Sequence, residues 1–442
     1  MGEIVRIHDV RVRNIKNVRG GTIKTNTNFS NLSSADVVGL YGQNGSGKTA
    51  LVEAFSLLKM ILDTNRLPEV SRHLMAYGQT SMELYFVFMI SNRFGEYFLK
   101  YETTIQAGKE RLMIINEEIS YRENKAKKRY KNIVVKRDRS ISIRNKDIRN
   151  ISEESRVSVL VADRYATDNA TSFVFRPELS EIFEGILNEV EIELMENVAF
   201  SFNKDFHVID NVSNGLILAN IMMPFSVHIQ NMRGQIPYEL TDTMLLPPNA
   251  YDTICKVIEQ INIVLRTIVP GLQIVVNRIH QEKMSDGEDG IRFEFLSRKE
   301  GISLPLRCES AGILKIICIL STLIAVYNNA NTCVIIDELD SGIFEYLLGE
   351  LLEVIGESGK GQIFFTSHNL RILELLDHKS LWFTTMNEQN RFVQLKGVKP
   401  LSNVRDMYLR AVQLGGQDEV LYRETDSYDI KKSFRKAGGQ NV

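Results

Sequence analysis

Gly39-Leu40-Tyr41-Gly42-Gln43-Asn44-Gly45-Ser46-Gly47-Lys48-Thr49-Ala50-Leu51 is the stretch whose reading decides the fold. From Gly42 to Thr49 it matches G-x-x-x-x-G-K-[ST] in full, the pattern of a phosphate-binding loop. Gly42, Gly45 and Gly47, with Asn44 and Ser46 among them, let successive backbone N–H groups turn inward and cradle phosphate oxygens. Lys48 would reach the outer phosphates as a point charge, and the Thr49 hydroxyl would hold Mg²⁺. A helix from Ala50 to Leu62 would aim its positive end at the same anion. Just outside the loop, Asp36 to Tyr41 reads as a buried strand. Leu51, Ala54, Phe55, Leu58, Met60 and Ile61 give the following helix an apolar face. The strand before and the helix after separate this loop from a chance glycine-rich turn.

The chain has 442 residues, enough for two or three domains or for one large domain with insertions. Its hydrophobic fraction of 44% and charged fraction of 24% are those of a globular protein rather than a disordered one. No run approaches the length of a membrane span, and the strand-like N-terminus lacks a signal-peptide core, so a cytosolic protein is expected. Cys255, Cys308, Cys318 and Cys333 are scattered, which reads as reduced thiols, and the seven histidines show no metal-ligand spacing. The net charge is −2, but residues 121–150 hold twelve Lys or Arg against Glu123, Asp138 and Asp147. A nucleic-acid-contacting surface and a solvated hairpin face are both open readings of that stretch.

In chain order, Val5 to Val12 alternates and would pair with Gly21 to Thr25. Ser81–Ile90 and Glu96–Ile105 read as a hairpin, continued by the short apolar islands Ile133–Val135 and Ile141–Ile143. Ser158 to Ala162 reads as one more buried strand. From Pro177 the apolar spacing turns helical as far as Phe200, and Tyr251 to Ile268 is a second helix ended by Pro270-Gly271. Some strand is expected near Leu216 to Ile221. Ile291–Leu296 and Ile302–Leu306 read as a hairpin. An apolar helix then opens at Glu309-Ser310-Ala311-Gly312-Ile313-Leu314-Lys315. The tail residues Ile430 to Lys436 read as disorder or as a docking peptide.

Thr332 to Glu338 is an apolar strand ending in two carboxylates, a second nucleotide motif. Asp337 would hold Mg²⁺ through water, and Glu338 would polarise the attacking water, at the carboxyl edge where open α/β sheets bind ligands. Lys48 and Asp337 lie 289 residues apart, so the nucleotide core is split by a long insertion. Gly361 to His368 is a further strand, ending in a histidine.

In this order of motifs the chain resembles the ABC-type ATPases, the superclass of transporter engines, SMC proteins and RecF. The resemblance covers residues 3–105 and 290–385 well and the middle poorly. It implies that Ser310 and Gly312 form the signature capping the γ-phosphate of an opposite subunit, with Lys315 adding a charge. It further implies that Asp340 and Ser341 form a dimer-interface loop, that His368 is the switch histidine, and that Gln79 is a Mg²⁺ or water ligand. The signature departs from the transporter form. Glu-Ser-Ala-Gly-Ile-Leu-Lys, Asp-Glu-Leu-Asp at 337–340 and Thr-Ser-His-Asn at 366–369 resemble the AAA-labelled ABC ATPases related to the OLD nucleases. Many of these belong to bacterial phage-defence operons and act with an effector. The 74 residues after His368 are too few for a fused Toprim nuclease, so a separately encoded effector is expected.

The expected fold class is therefore α/β, an ABC-type P-loop head with an antiparallel β meander and a mainly helical insertion. The expected divisions are 1–176, 177–285 and 286–442. The resemblance implies ATP and Mg²⁺ as cofactors, ATP hydrolysis, a head-to-tail homodimer or higher homo-oligomer, and no membrane. A RecF-like DNA-repair ATPase is the alternative, and a transporter ATPase is disfavoured.

Overall fold

The computed structural model describes residues 3–109, 111–138, 140–210, 222–229, 232–239, 242–398, 403–423 and 425–438. Its centre is a sheet in which five strands run parallel and the sixth antiparallel. The order is Phe206–Ile209, Cys333–Ile336, Gln362–Ser367, Asp36–Tyr41, Leu381–Thr384 and Phe392–Val393. Every residue of Asp36–Tyr41 is buried, as a parallel strand covered on both faces requires, and this is why it reads as an unbroken apolar run. Tyr41 lies opposite Ser367, and Ile336 opposite Phe365. The register therefore brings the phosphate loop, the Asp337-Glu338 pair and His368 to one edge of the sheet.

A second sheet of eight strands is antiparallel, in the order Gly21–Lys24, Ile4–Arg13, Ser81–Asn92, Gly95–Ala107, Leu112–Glu123, Lys131–Arg137, Ser140–Ile143 and Lys146–Asp147. It contains the meander read from the sequence, including the basic stretch. The helix after the phosphate loop, Lys48–Leu62, lies between the two sheets and is apolar on nearly every side for that reason. Phe55 is fully buried there, 5.7 Å from Phe86 of the antiparallel sheet and 5.0 Å from Phe364 of the parallel one.

Two polar side chains tie the start of the chain to its end. Gln362 donates its amide to the Ile7 carbonyl at 2.7 Å and to the Asp36 carboxylate at 2.9 Å, and accepts from the Ile7 N–H at 3.0 Å. Arg6 is fully buried and donates to the carbonyls of Leu32 and Ser34, both at 3.1 Å, and to that of Lys360. Burial pulls its guanidinium down to about 10. Such groups are tolerated inside because they find partners, Gln362 through its amide and Arg6 through its Nε and one of its two Nη atoms.

Two sequence expectations change here. Ser158 to Ala162 is not a strand but part of the helix Glu153–Asn169. Ser152 caps it by accepting from the Ser155 N–H, and two glutamates stand in the first turn. A short run of four apolar residues after a serine cannot by itself separate strand from helix, and of these Leu160 and Val161 are exposed rather than buried. The helix Ala311–Asn328 is apolar and long enough to cross a membrane, with a mean hydropathy of 1.9, contrary to the reading that no run approaches that length. Its residues Leu314 to Val326 are mostly buried against the parallel sheet and its neighbours, so composition alone misleads. The division at 285/286 runs through the hairpin Gln273–Lys283 with Asp289–Lys299.

The segment 177–285 holds the helices Ser180–Ile186, Glu189–Glu196 and Pro248–Ile268. It also gives the parallel sheet its edge strand, Phe206–Ile209, and contains a hairpin of Met222–Ile229 with Met232–Glu239. The strand expected near Leu216–Ile221 lies outside the described residues. The tail forms a helix, Ser427–Ala437, none of whose residues is buried.

The antiparallel sheet carries a buried acid, Glu117, which accepts from the Tyr101 hydroxyl at 2.8 Å, the Ser172 hydroxyl at 2.6 Å and the Phe173 N–H at 2.6 Å. Glu117→Ala strands three buried donors and should cost about 3 kcal/mol or more, since each unsatisfied group costs roughly 1–3 kcal/mol. Urea unfolding reads this directly. A midpoint unchanged from wild type would contradict the packing described.

Candidate nucleotide-binding site

The carboxyl edge of the parallel sheet opens into a cavity of about 490 Å³ lined by Lys16, Asn17, Asn44, Gly45, Gly47, Lys48, Thr49, Ala50, Asp337, Glu338 and His368. Residues from both ends of the sequence thus face one space. Gly42 and Ser46 form the buried floor of the loop, and Ser46 accepts a hydrogen bond from the Thr384 hydroxyl at 2.6 Å. The glycines are required by close approach. A Cβ on Gly42 would lie 1.6 Å from the Thr384 hydroxyl oxygen, and one on Gly47, whose φ is +100°, would lie 2.8 Å from Val18. Gly45 faces open space.

Lys48 donates its ammonium to the Gly42 carbonyl at 2.8 Å and the Gln43 carbonyl at 3.2 Å, curling over its own loop. Burial lowers its pKa, against the opposing pull of Asp337, Glu338 and Asp340. Across the cavity, Asp337 is fully buried and accepts from the Thr366 hydroxyl. The same hydroxyl oxygen accepts from the Glu338 N–H at 2.8 Å. Glu338 itself is exposed to the cavity and has a left-handed backbone, φ +47°, which costs a non-glycine residue about 1–2 kcal/mol. Three bonds hold it there: the one to Thr366, and those its carbonyl accepts from the Lys315 ammonium at 2.6 Å and the Ser341 N–H at 3.0 Å. The His368 N–H donates to the Asp340 carboxylate at 3.0 Å. Its ring pKa is lowered, first by burial and then by the charge of Lys48.

The donor set fits a nucleotide with its metal ion. A glycine cradle that side chains would fill, an ammonium held on loop carbonyls and a carboxylate opposite the Thr49 hydroxyl are the groups that anion and cation require.

Not every expected residue lines this cavity. Ser310 is exposed and caps the helix Ala311–Asn328 by accepting from the Ile313 N–H at 3.3 Å. Gly312 packs so closely on the next loop that a Cβ would meet the Gly342 carbonyl at 2.4 Å. Neither lines the cavity of its own chain. Lys315 departs from its expected place on that exposed signature. It is fully buried, is pulled down to about 8 by burial, and serves the Glu338 turn of its own chain. Gln79 is exposed in the turn after Gly78 and does not line the cavity.

Sequence reading missed Thr366 and Thr384, which organise the two sides of the site, and Arg391. Arg391 donates to the carbonyls of Thr385 and Asn17, and the Asn17 amide in turn donates to the Gly45 carbonyl. Thr366 stood inside the quoted Thr-Ser-His-Asn, so its position was available. Thr384 and Arg391 have no local signature.

Residues 37–374 match a family described as "AAA domain, putative AbiEii toxin, Type IV TA system". Among solved structures, the SMC head domain from Thermotoga maritima is 13% identical with a TM-score of 0.38, covering 88% of this chain and 99% of that one. The Smc head domain with an extended coiled coil, bound to the C-terminal domain of ScpA and derived from Pyrococcus furiosus, is 12% identical with a TM-score of 0.43, covering 89% and 96%. The Smc head with a coiled coil and joint from Pyrococcus yayanosii is 10% identical with a TM-score of 0.44, covering 92% and 100%. No curated protein matches the chain.

The close approach at Gly42 generates a test. Gly42→Ala should weaken ATP binding at least about tenfold, roughly 1.4 kcal/mol, by pushing the loop off Thr384. Gly185→Ala, where a Cβ meets nothing within 4 Å, is the control and should leave affinity unchanged. Calorimetry giving equal affinities for both variants would remove the cradle from the site.

Proposed function

Because the chain belongs to the family of AAA domains described as putative AbiEii toxins of type IV toxin–antitoxin systems, we propose that it is an ATP-hydrolysing switch that controls, or is controlled by, a separately encoded protein. The observation carrying the ATPase reading is the single cavity shared by Lys48, Thr49, Asp337, Glu338 and His368. Lys48 would leave the loop carbonyls for the outer phosphates. Thr49 and Asp337 would hold Mg²⁺, which when bound supplies charge neutralisation at the phosphate oxygens. Glu338, fixed by Thr366 and Lys315, would orient the attacking water. His368, whose ring pKa is lowered first by burial and then by the charge of Lys48, would contact the outer phosphate.

Two copies pair head to tail in this reading. Ser310 and Gly312 sit at an exposed helix N-terminus, away from their own cavity, where they suit the phosphate of a second chain. Phe344 and Tyr346, 69% and 51% exposed beside the Asp340-Ser341 loop, offer apolar contact for that pairing. The defence role, in the cytosol and in the OLD-like branch, rests on the motif forms Glu-Ser-Ala-Gly and Thr-Ser-His-Asn and on the toxin–antitoxin description of the family.

A second reading, nucleic-acid binding, has one observation in its favour. A cavity of about 420 Å³ is lined by Arg122, Lys128, Arg129 and Lys131 together with Phe94, Tyr97 and Tyr121. Cations interleaved with rings suit a single strand. Against this, Lys136, Arg137, Arg144 and Arg149 of the same stretch are spent in ion pairs with Asp163, Glu118, Glu191 and Asp147.

Lys48→Ala should abolish ATP binding, and Glu338→Gln should bind ATP yet hydrolyse it at least about 100-fold more slowly, near 2.7 kcal/mol of transition-state stabilisation. Unchanged turnover in Glu338→Gln would take that residue out of catalysis. Mixing inactive Lys48→Ala with inactive Ser310→Arg should restore activity through one intact composite site. A silent mixture of variants that still associate would sink the head-to-tail arrangement. For the second reading, Arg129→Gln with Lys131→Gln should flatten the salt dependence of oligonucleotide binding by about two units of log–log slope. An unchanged slope would return the stretch to a solvated face.

A further inference from the structure

Among the described residues, the tail helix Ser427–Ala437 buries none of its side chains. Ile430 and Phe434 stand one turn apart, and Phe434 is 76% exposed. Lys431, Lys432, Arg435 and Lys436 flank and oppose that stripe, and no ion pair is recorded for them among the described residues. The segment before the helix is anchored. The Val420 carbonyl accepts from the Met386 N–H at 2.7 Å, Leu421 is buried, and the Arg423 N–H donates to the Gln43 amide oxygen at 3.2 Å. The helix is therefore rooted beside the phosphate loop, at the carboxyl edge of the parallel sheet.

A surface of complementary chemistry lies elsewhere. An apolar groove is formed by Phe175, Phe183, Leu187, Ile192 and Met195, with Phe200, 64% exposed, at its lip. Glu184 and Glu196 also line it and are exposed. Residues 177–203 contain seven glutamates and no Lys or Arg. Among the described residues, Glu178, Glu191 and Glu193 of these are in ion pairs, with Arg176, Arg144 and Arg93. The groove precedes Phe206, so it lies on the segment entering the amino end of the edge strand Phe206–Ile209. Helix and groove are thus rooted at opposite ends of the sheet.

We propose that the tail helix of one copy docks in the acid-rimmed groove of a second copy, with Ile430 and Phe434 on the apolar floor and the lysines against Glu184 and Glu196. An apolar stripe with Lys431 and Arg435 nearest it matches in sign an apolar floor edged by Glu184 and Glu196, where the one cation of the lining, Arg176, is paired with Glu178. Each copy carries one helix and one groove, so a two-fold pair satisfies both. The contact uses no nucleotide and is independent of the ATP-dependent pairing above.

Zero-length carbodiimide crosslinking of an equal mixture of isotopically light and heavy full-length chains tests it, without nucleotide and in the Lys48→Ala background. Light–heavy crosslinks between Lys431 or Lys432 and Glu184 or Glu196 are expected. Phe434→Asp and Phe200→Asp should each reduce their yield at least about fivefold, as loss of a buried aromatic anchor does. Lys431→Glu with Lys432→Glu should abolish association in the uncrosslinked sample, measured by sedimentation. Adding Glu184→Lys with Glu196→Lys should restore it. Crosslinks confined to light–light and heavy–heavy pairs would show docking within one chain and overturn the proposal. Absence of these crosslinks, or binding of the helix to phosphatidylserine vesicles or to DNA in their place, would overturn it equally.

Discussion

The parallel register of three neighbouring strands governs this molecule. Cys333–Ile336, Gln362–Ser367 and Asp36–Tyr41 lie side by side and run the same way, so whatever follows each of them emerges at one edge. The phosphate loop follows one, Asp337-Glu338 another and His368 the third. Residues separated by 289 positions in sequence are neighbours only because this register is kept. A slip of one residue would turn every side chain of a strand to the wrong face. Gln362 and Arg6 lock the amino ends of the same strands to the antiparallel sheet, and Phe55 fills the space between the two layers.

At the functional edge the charges are balanced but not relaxed. Two buried lysines, Lys48 and Lys315, both have lowered pKa values, and Asp337, Glu338 and Asp340 offset their burial. Thr366 links the acidic pair to the histidine strand by donating to Asp337 and accepting from Glu338. The left-handed backbone of Glu338 stores strain that these bonds hold in place. An entering polyanion would draw Lys48 off its carbonyls and so change the charge felt by Asp337, Glu338, Asp340 and His368.

Much of this was legible in the sequence because the signals are local. The phosphate loop announces itself through residue type at fixed spacing, and Asp337-Glu338 and His368 through their place at strand ends. The hairpins appeared as alternation and the core helices as period. What was illegible depended on tertiary context. Val159, Ala162 and Ala166 are the buried face of the helix Glu153–Asn169, which the four apolar residues Val159 to Ala162 cannot disclose. Lys315 was expected to add a charge to the signature, but it is fully buried and its ammonium donates to the Glu338 carbonyl of its own chain. Thr384 and Arg391 reach the phosphate loop from the far end of the chain, with no motif around them. The segment 177–285 read as an insertion, yet it supplies the parallel sheet with an edge strand through Phe206–Ile209.

The central claim is that two distant halves of the chain make one nucleotide site. Hydrogen exchange with and without ATP and Mg²⁺, followed peptide by peptide in the Glu338→Gln chain to suppress turnover, tests it most directly. Slower exchange is expected together in residues 42–50, 336–342 and 366–369. Protection confined to residues 42–50, or absent from all three segments at saturating nucleotide, would contradict the account.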